Sequence, residues 1–183
     1  MKKFLLLLLC LYGSVCFAQN ISPDWYILER GCTVGVIKPG VNDLTLYLAS
    51  TGNKPLDKTG IAAIEKSINF SPGCAVLIYA KYDKYYIATD IEGRNLVVKG
   101  GITKVERGEG SGVAFLKEDI KTTSGITLAK GSFVWLKEHK TGNPNAVIQG
   151  AGKQDTQAAF SKIYDINATV IDMAKNVKFK TVL

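Results

Sequence analysis

The side chains able to do chemistry are few and scattered. His139 is the single histidine of the 183-residue chain. A general base is most often a histidine held in place by a second group. His139 stands in Glu138-His139-Lys140, beside a loop and without such a partner nearby in sequence, so it reads as a surface residue. Two carboxylate pairs stand close in sequence, Asp90 with Glu92 and Glu118 with Asp119. A glycosidase needs two carboxyl groups facing one sugar. Adjacent strand residues point to opposite faces, and the Asp90 pair falls where a turn begins, so neither pair makes a catalytic unit. Gly108-Glu109-Gly110-Ser111-Gly112 has the glycines of a phosphate-cradling loop but lacks the lysine and the following helix. Nor is it a hydrolase nucleophile turn, which needs glycine where Glu109 stands. It reads as a flexible hairpin tip. No residue is assigned a catalytic role.

The cysteines lead to a compartment. Lys2-Lys3 and the apolar run from Phe4 to Leu11 precede Cys16-Phe17-Ala18, which has small residues where a signal peptidase inspects them. Residues 1–18 read as a signal peptide, and cleavage after Ala18 leaves Gln19 first. Lipid attachment at Cys16 is the rival, but Val15 is a poor residue ahead of a lipidated cysteine. The expected product is exported, periplasmic or secreted. It is not membrane-spanning, because no later run approaches the length of a span. The leader takes two lysines and no acids from a net charge of +7, leaving +5. It also takes Cys10 and Cys16, leaving Cys32 and Cys74. An even pair in an exported chain predicts a disulfide. Gly31-Cys32-Thr33-Val34 and Gly73-Cys74-Ala75-Val76 each open an apolar run, so strands in register at their starts would bring the sulfurs together. Closing the 41 intervening residues would stabilise by about 3–4 kcal/mol in the chain-entropy model. Two cysteines and one histidine do not make a zinc site, and no loop carries the alternating acids that calcium needs. No cofactor or metal is expected.

The stretch that organises residues 19–183, read as one β-rich domain, is Gly73 to Ile91, GCAVLIYAKYDKYYIATDI. Cys74 to Tyr82 is β-branched, aromatic and too short for a helix, and Tyr85 to Thr89 resumes after the two-residue turn Asp83-Lys84. Alternation assigns Val76, Ile78, Ala80 and Tyr82 to one face and Ala75, Leu77, Tyr79 and Lys81 to the other. Both faces begin apolar, as in a central strand covered on both sides. Around it, Gln19 to Pro23 reads as a loose tail. Strands are expected at 25–29, 32–38, 44–49, 95–99, 102–107, 113–117, 119–122 and 128–138, with two closing strands at 166–171 and 177–182. Apolar spacings of three and four predict one short helix over 58–69 and a second from Asp155 through Tyr164, with Ala159, Phe160 and Ile163 inward. Residues 140–153 read as a loop containing a short apolar run at 146–148. Short strands cut by glycine turns predict a mainly β to α+β fold, an antiparallel barrel- or sandwich-like sheet with two short helices.

LAKGSFVWLKE, Leu128 to Glu138, places Phe133 and Trp135 on one face after a Lys130-Gly131 turn. It resembles segments of bacterial SH3-like β-barrels, a likeness that implies binding of cell-wall peptides. The longer stretch GVAFLKEDIKTTSGITLAKGSFVWL is similar in rhythm to the β-domain of conjugation-channel proteins, which implies a place in a secretion or conjugation apparatus.

Four tyrosines fall within eight residues, Tyr79, Tyr82, Tyr85 and Tyr86, with Lys84 among them. Such residues serve either as cross-strand packing or as an aromatic surface for a ligand. The leader, the strand-rich pattern and the absence of a catalytic constellation point to a non-enzymatic binding or interaction module of a bacterial envelope. Its contact residues would be Tyr79, Tyr82, Lys84, Tyr85 and Tyr86, with Trp135 as second choice. The expected partner is an envelope protein or an anionic cell-surface polymer. Nucleic acid is set aside, since the lysines form no basic stripe and an exported protein seldom meets it. The alternatives are a small secreted hydrolase working on cell-wall glycan or peptide through Asp90, Glu92, Glu118 or Asp119, and a structural subunit of a secretion or conjugation apparatus.

Overall fold

Among the described residues, the period-two runs fold as strands. The computed structural model describes residues 19–36, 70–82 and 84–165. β1 (Gln19–Leu28), β2 (Thr33–Val36), β3 (Ala75–Tyr82), β4 (Tyr85–Thr89), β5 (Asn95–Lys99) and β6 (Ile102–Lys104) form one antiparallel sheet in the order β2-β5-β4-β3-β1-β6. A second antiparallel sheet has the order β12-β11-β10-β7-β13, from β7 (Gly112–Leu116), β10 (Phe133–Glu138), β11 (Asn145–Ile148), β12 (Thr156–Ala159) and β13 (Ile163–Asp165). Between β7 and β10, β8 (Ile120–Lys121) and β9 (Thr127–Leu128) pair only with each other. The protein is mainly β.

β3 and β4 form the expected hairpin, with Tyr82 opposite Tyr85 across the two-residue turn, and β3 lies inside its sheet between β4 and β1. Both its faces are covered. Val76 and Ile78 join Leu28, Val34, Ala88, Leu96 and Val98 in a core that the sheet encloses by curling into a half-barrel. Ala75 and Leu77 face the other way, onto the second sheet. Burying a side chain such as Leu77 or Ile78 contributes about 1.5–3 kcal/mol. The predicted alternation holds only as far as Tyr79. There the ladder to β4 slips, so that Ile78 faces Ala88 but Ala80 faces Ile87. The extra residue sends Ala80 to the opposite face, where it packs with Tyr85, Ile87 and Val97.

The two sheets meet on Trp25, Ile27, Ala75, Leu77 and Val105 from one side and Val113, Phe133 and Trp135 from the other. A backbone bridge between Cys74 and Val134 also joins them at one point. Ile120 and Leu128 of the small ribbon help cover the far face of the second sheet, over Leu116, Val134, Leu136 and Ile148.

Several expectations are corrected. Asp155 to Tyr164 is not a helix: β12, a single 3-10 turn (Phe160–Lys162) and β13 occupy it. Thr156 and Ala158 are buried while Gln157 is exposed, a period of two that weakly apolar residues conceal. The 146–148 run belongs to β11 and pairs with β12 rather than lying in a loop. Gln19 and Asn20 are not loose but pair with Lys81 and Ala80, beyond an irregularity before Asp24. Pro23, which has no N–H to give a ladder, sits in that irregularity. The Gly108–Gly112 stretch is not a hairpin tip, because β6 and β7 belong to different sheets and the stretch carries the chain between them. The helix expected at 58–69 and the strands at 44–49, 166–171 and 177–182 lie outside the described residues, as does the leader.

Cys32 and Cys74 form no disulfide. The strands they introduce are not neighbours, since β5 and β4 lie between β2 and β3. Cys32 Sγ instead donates to the Gly101 carbonyl at 2.6 Å, tying the start of edge strand β2 to the turn before edge strand β6. Cys74 is buried with its sulfur 3.5 Å from Ser71 Oγ.

Candidate functional site

The polar residues with the most organised surroundings lie at the seam between the sheets. Asp24 stands at the end of the β1 irregularity and accepts from its neighbour's amide, Trp25 N–H, at 2.8 Å. Lys104 Nζ lies 2.8 Å from its second oxygen, and Arg107 pairs with the first. Burial alone would raise the Asp24 carboxyl, but the hydrogen bonds from Arg107, Lys104 and Trp25 outweigh it and hold the group below its ordinary value. The Arg107 guanidinium also lies over the Trp135 ring, 5.4 Å from its centroid. Trp135 in turn stacks on Trp25 with centroids 6.4 Å apart.

The backbone between β6 and β7 runs through this seam and is held from several sides. Gln149, fully buried, accepts from Glu106 N–H at 2.7 Å and donates to the Lys104 carbonyl at 3.2 Å. Trp135 Nε1–H donates to the Glu106 carbonyl at 2.7 Å. Lys137 joins Glu106 at 2.6 Å and Asp155 at 2.8 Å, and these bonds raise its ammonium pKa, keeping it charged. Gly110 has φ +65°, and a β-carbon there would collide with the His139 carbonyl. Gly108 and Gly110 therefore serve close packing against the end of β10.

The hairpin end is arranged differently. Lys84 is exposed, with its Nζ 5.6 Å from the Tyr85 ring centroid, and Lys81 Nζ is 5.7 Å from that of Tyr86. Tyr85 is itself buried, in the small cluster with Ala80, Ile87 and Val97. Tyr79 is partly buried, its hydroxyl 3.4 Å from Asn95 Oδ1, and burial pushes its phenol up to about 12. Exposed Lys99 lies directly opposite Tyr85 on the next strand. Lys81, Lys84 and Lys99 form no ion pair with a described residue.

The structure thus gathers Tyr79, Lys84, Tyr85 and Tyr86 at one hairpin, with Tyr82 opposite Tyr85 in register, and places Trp135 elsewhere, inside the seam. Lys99 escaped sequence reasoning, although its position beside Gly100-Gly101 marked it as a strand end at a turn. Trp25, Asp24 and Arg107 were also missed, because their meeting depends on the packing of two sheets.

The remaining reactive groups have local occupations. Buried Asp90 accepts from the amides of Glu92 at 2.9 Å and Arg94 at 3.0 Å, and Arg94 Nη2 lies 2.5 Å from it. Glu92 pairs with the same guanidinium at 3.3 Å. Glu118 pairs with Lys162 at 3.1 Å, and Asp119 accepts from Lys130 N–H at 2.7 Å. His139 stacks on Phe160 with centroids 3.8 Å apart. Burial raises both the Cys32 and Cys74 thiols above their ordinary range, which disfavours the thiolate a nucleophile needs. Among the described residues no group of three His, Cys, Asp or Glu side chains could hold a metal ion, and no helix is long and apolar enough to cross a membrane.

No family model, curated protein or solved structure matches this chain.

Proposed function

We propose that the protein is an exported, non-enzymatic binding module of a bacterial envelope, and that it engages its partner with the end of the β3–β4 hairpin. One observation carries the choice of surface: Lys81 and Lys84 lie over tyrosine rings, with exposed Lys99 alongside, and no described carboxylate neutralises them. By contrast, Arg94, Lys104, Arg107, Lys137, Lys140 and Lys162 are each paired with an acid, and exposed Lys121, Lys130 and Lys153, which pair with no described acid either, lie over no described ring. Export rests on the leader at 1–18, which ends just before β1 begins at Gln19. A barrel- or sandwich-like arrangement of the two sheets, with β3 between two cores, would give the hairpin a rigid base.

The test is affinity capture from the producing organism's envelope with mature protein starting at Gln19, run beside bait carrying Lys81→Gln and Lys84→Gln. Retention of a partner in stoichiometric amount by the first bait and its loss from the second is the expected result. Equal capture by both baits would move the contact surface elsewhere. Turnover of cell-wall glycan or peptide, abolished by changing Asp90, Glu92, Glu118 or Asp119, would replace the proposal with the hydrolase reading. A large stable assembly of the protein itself would favour a structural subunit.

A further inference from the structure

Two rings at the hairpin end, those of Tyr85 and Tyr86, already carry cations. Sugars and peptides commonly dock by lying flat on an exposed ring, but the Tyr85 ring carries the Lys84 ammonium and is buried, and the Tyr86 ring carries Lys81. Stacking on these two rings is therefore disfavoured. What the rings do is steady two cations that would otherwise sweep through many rotamers, which lowers the entropy lost on binding.

The register shows how the charges are spread. Lys81 faces Tyr86 across β3 and β4, while Lys99 faces Tyr85 across β4 and β5. Tyr85 and Tyr86 are adjacent and so point to opposite faces, which puts the Lys81 and Lys99 side chains on opposite sides of the sheet, on strands whose backbones lie about 10 Å apart across two strand spacings. A rigid protein partner lies against one face. A flexible chain can reach both.

Resting on the binding-module reading above, we infer that the ligand is an acidic polysaccharide of the envelope, held by charge around the hairpin end rather than by ring stacking. Among the described acids, Asp90 and Glu92 lie at the far end of β4 and are engaged by Arg94, while Glu29, beside Gly101, accepts from the Thr103 hydroxyl at 2.5 Å and from Gly152 N–H at 2.7 Å.

The probe is polygalacturonate, with neutral dextran as control, titrated into the exported protein at low and high salt. Binding to polygalacturonate but not dextran, weakening as salt rises, is expected because exposed charges are screened. The combined change Lys81→Gln, Lys84→Gln, Lys99→Gln should weaken it about tenfold or more. Lys121→Gln, Lys130→Gln, Lys153→Gln removes the same charge from lysines elsewhere and should leave binding unchanged. Should the hairpin triple not fold, Lys84→Gln alone, at the exposed turn, carries the comparison. Equal loss in both triples, salt-independent binding or equal binding of dextran would overturn the inference. Stoichiometric capture of one envelope protein by the hairpin, unaffected by excess polygalacturonate, would also overturn it while leaving the binding-module reading intact.

Discussion

At the seam, Arg107 lies over Trp135 and its charge is met by Asp24; at the hairpin end, Lys84 lies over Tyr85 and no described carboxylate meets it. The contact type is the same and its setting differs. Around Arg107 the cation closes a set of bonds from Trp25, Trp135 and Gln149 that fixes one sheet against the other. Around Lys84 the cation is steadied, and no acid among the described residues pairs with it. A cation on a ring is thus a fastening where an acid completes it and, on the proposed reading, a contact where no described acid does.

The seam can be broken in a graded way. Trp135→Ala removes the stacked ring between the sheets and the bond to Glu106, and should cost about 3–5 kcal/mol in urea unfolding. Gly110→Ala should cost about 1–2 kcal/mol for the left-handed backbone, and more through the contact with the His139 carbonyl. Asp24→Asn should cost about 1 kcal/mol, because its partners are largely exposed. It should also flatten the acid limb of stability. The Asp24 carboxyl is held below its ordinary 3.8, so its contribution is full above that pH and is lost as pH falls through the lower folded value. A variant with an unchanged acid limb would show that the cluster adds nothing to folding.

The hairpin should respond the opposite way. Lys84→Gln and Lys81→Gln should each shift stability by less than about 0.5 kcal/mol while weakening binding. A large loss of stability would make the hairpin end a second fastening and remove the contrast. The smallest effect expected is that of a reductant. With no disulfide between Cys32 and Cys74, it should leave the unfolding midpoint unmoved, and a thiol reagent should reach Cys32 in the folded protein but Cys74 only after unfolding.

The hairpin was legible in the sequence because its pattern is local: eight residues with both faces apolar, a two-residue turn, then five more. The region after 140 was not. Ala159, Phe160 and Ile163 have helical spacing, whereas the strand faces rest on Thr156 and Ala158, whose partners Ile148 and Ala146 lie on another strand. The disulfide expectation failed for a related reason. Matching GC motifs specify similar strand starts, but not which strands become neighbours. Of the candidate site, the tyrosines and Lys84 could be read directly. Lys99 needed the β4–β5 register, and the seam needed two sheets to meet.

The bridge between Cys74 and Val134 also bears on how the molecule carries a mechanical load. β3 has the hairpin turn at one end and that bridge at the other, with antiparallel neighbours along both sides. Ladder hydrogen bonds lie across the strands, so tension applied at the turn would load the ladders of β3 to β1 and of β4 to β5 in shear instead of unzipping them one by one. A pull on a bound polymer would then pass through the middle of one sheet into the other.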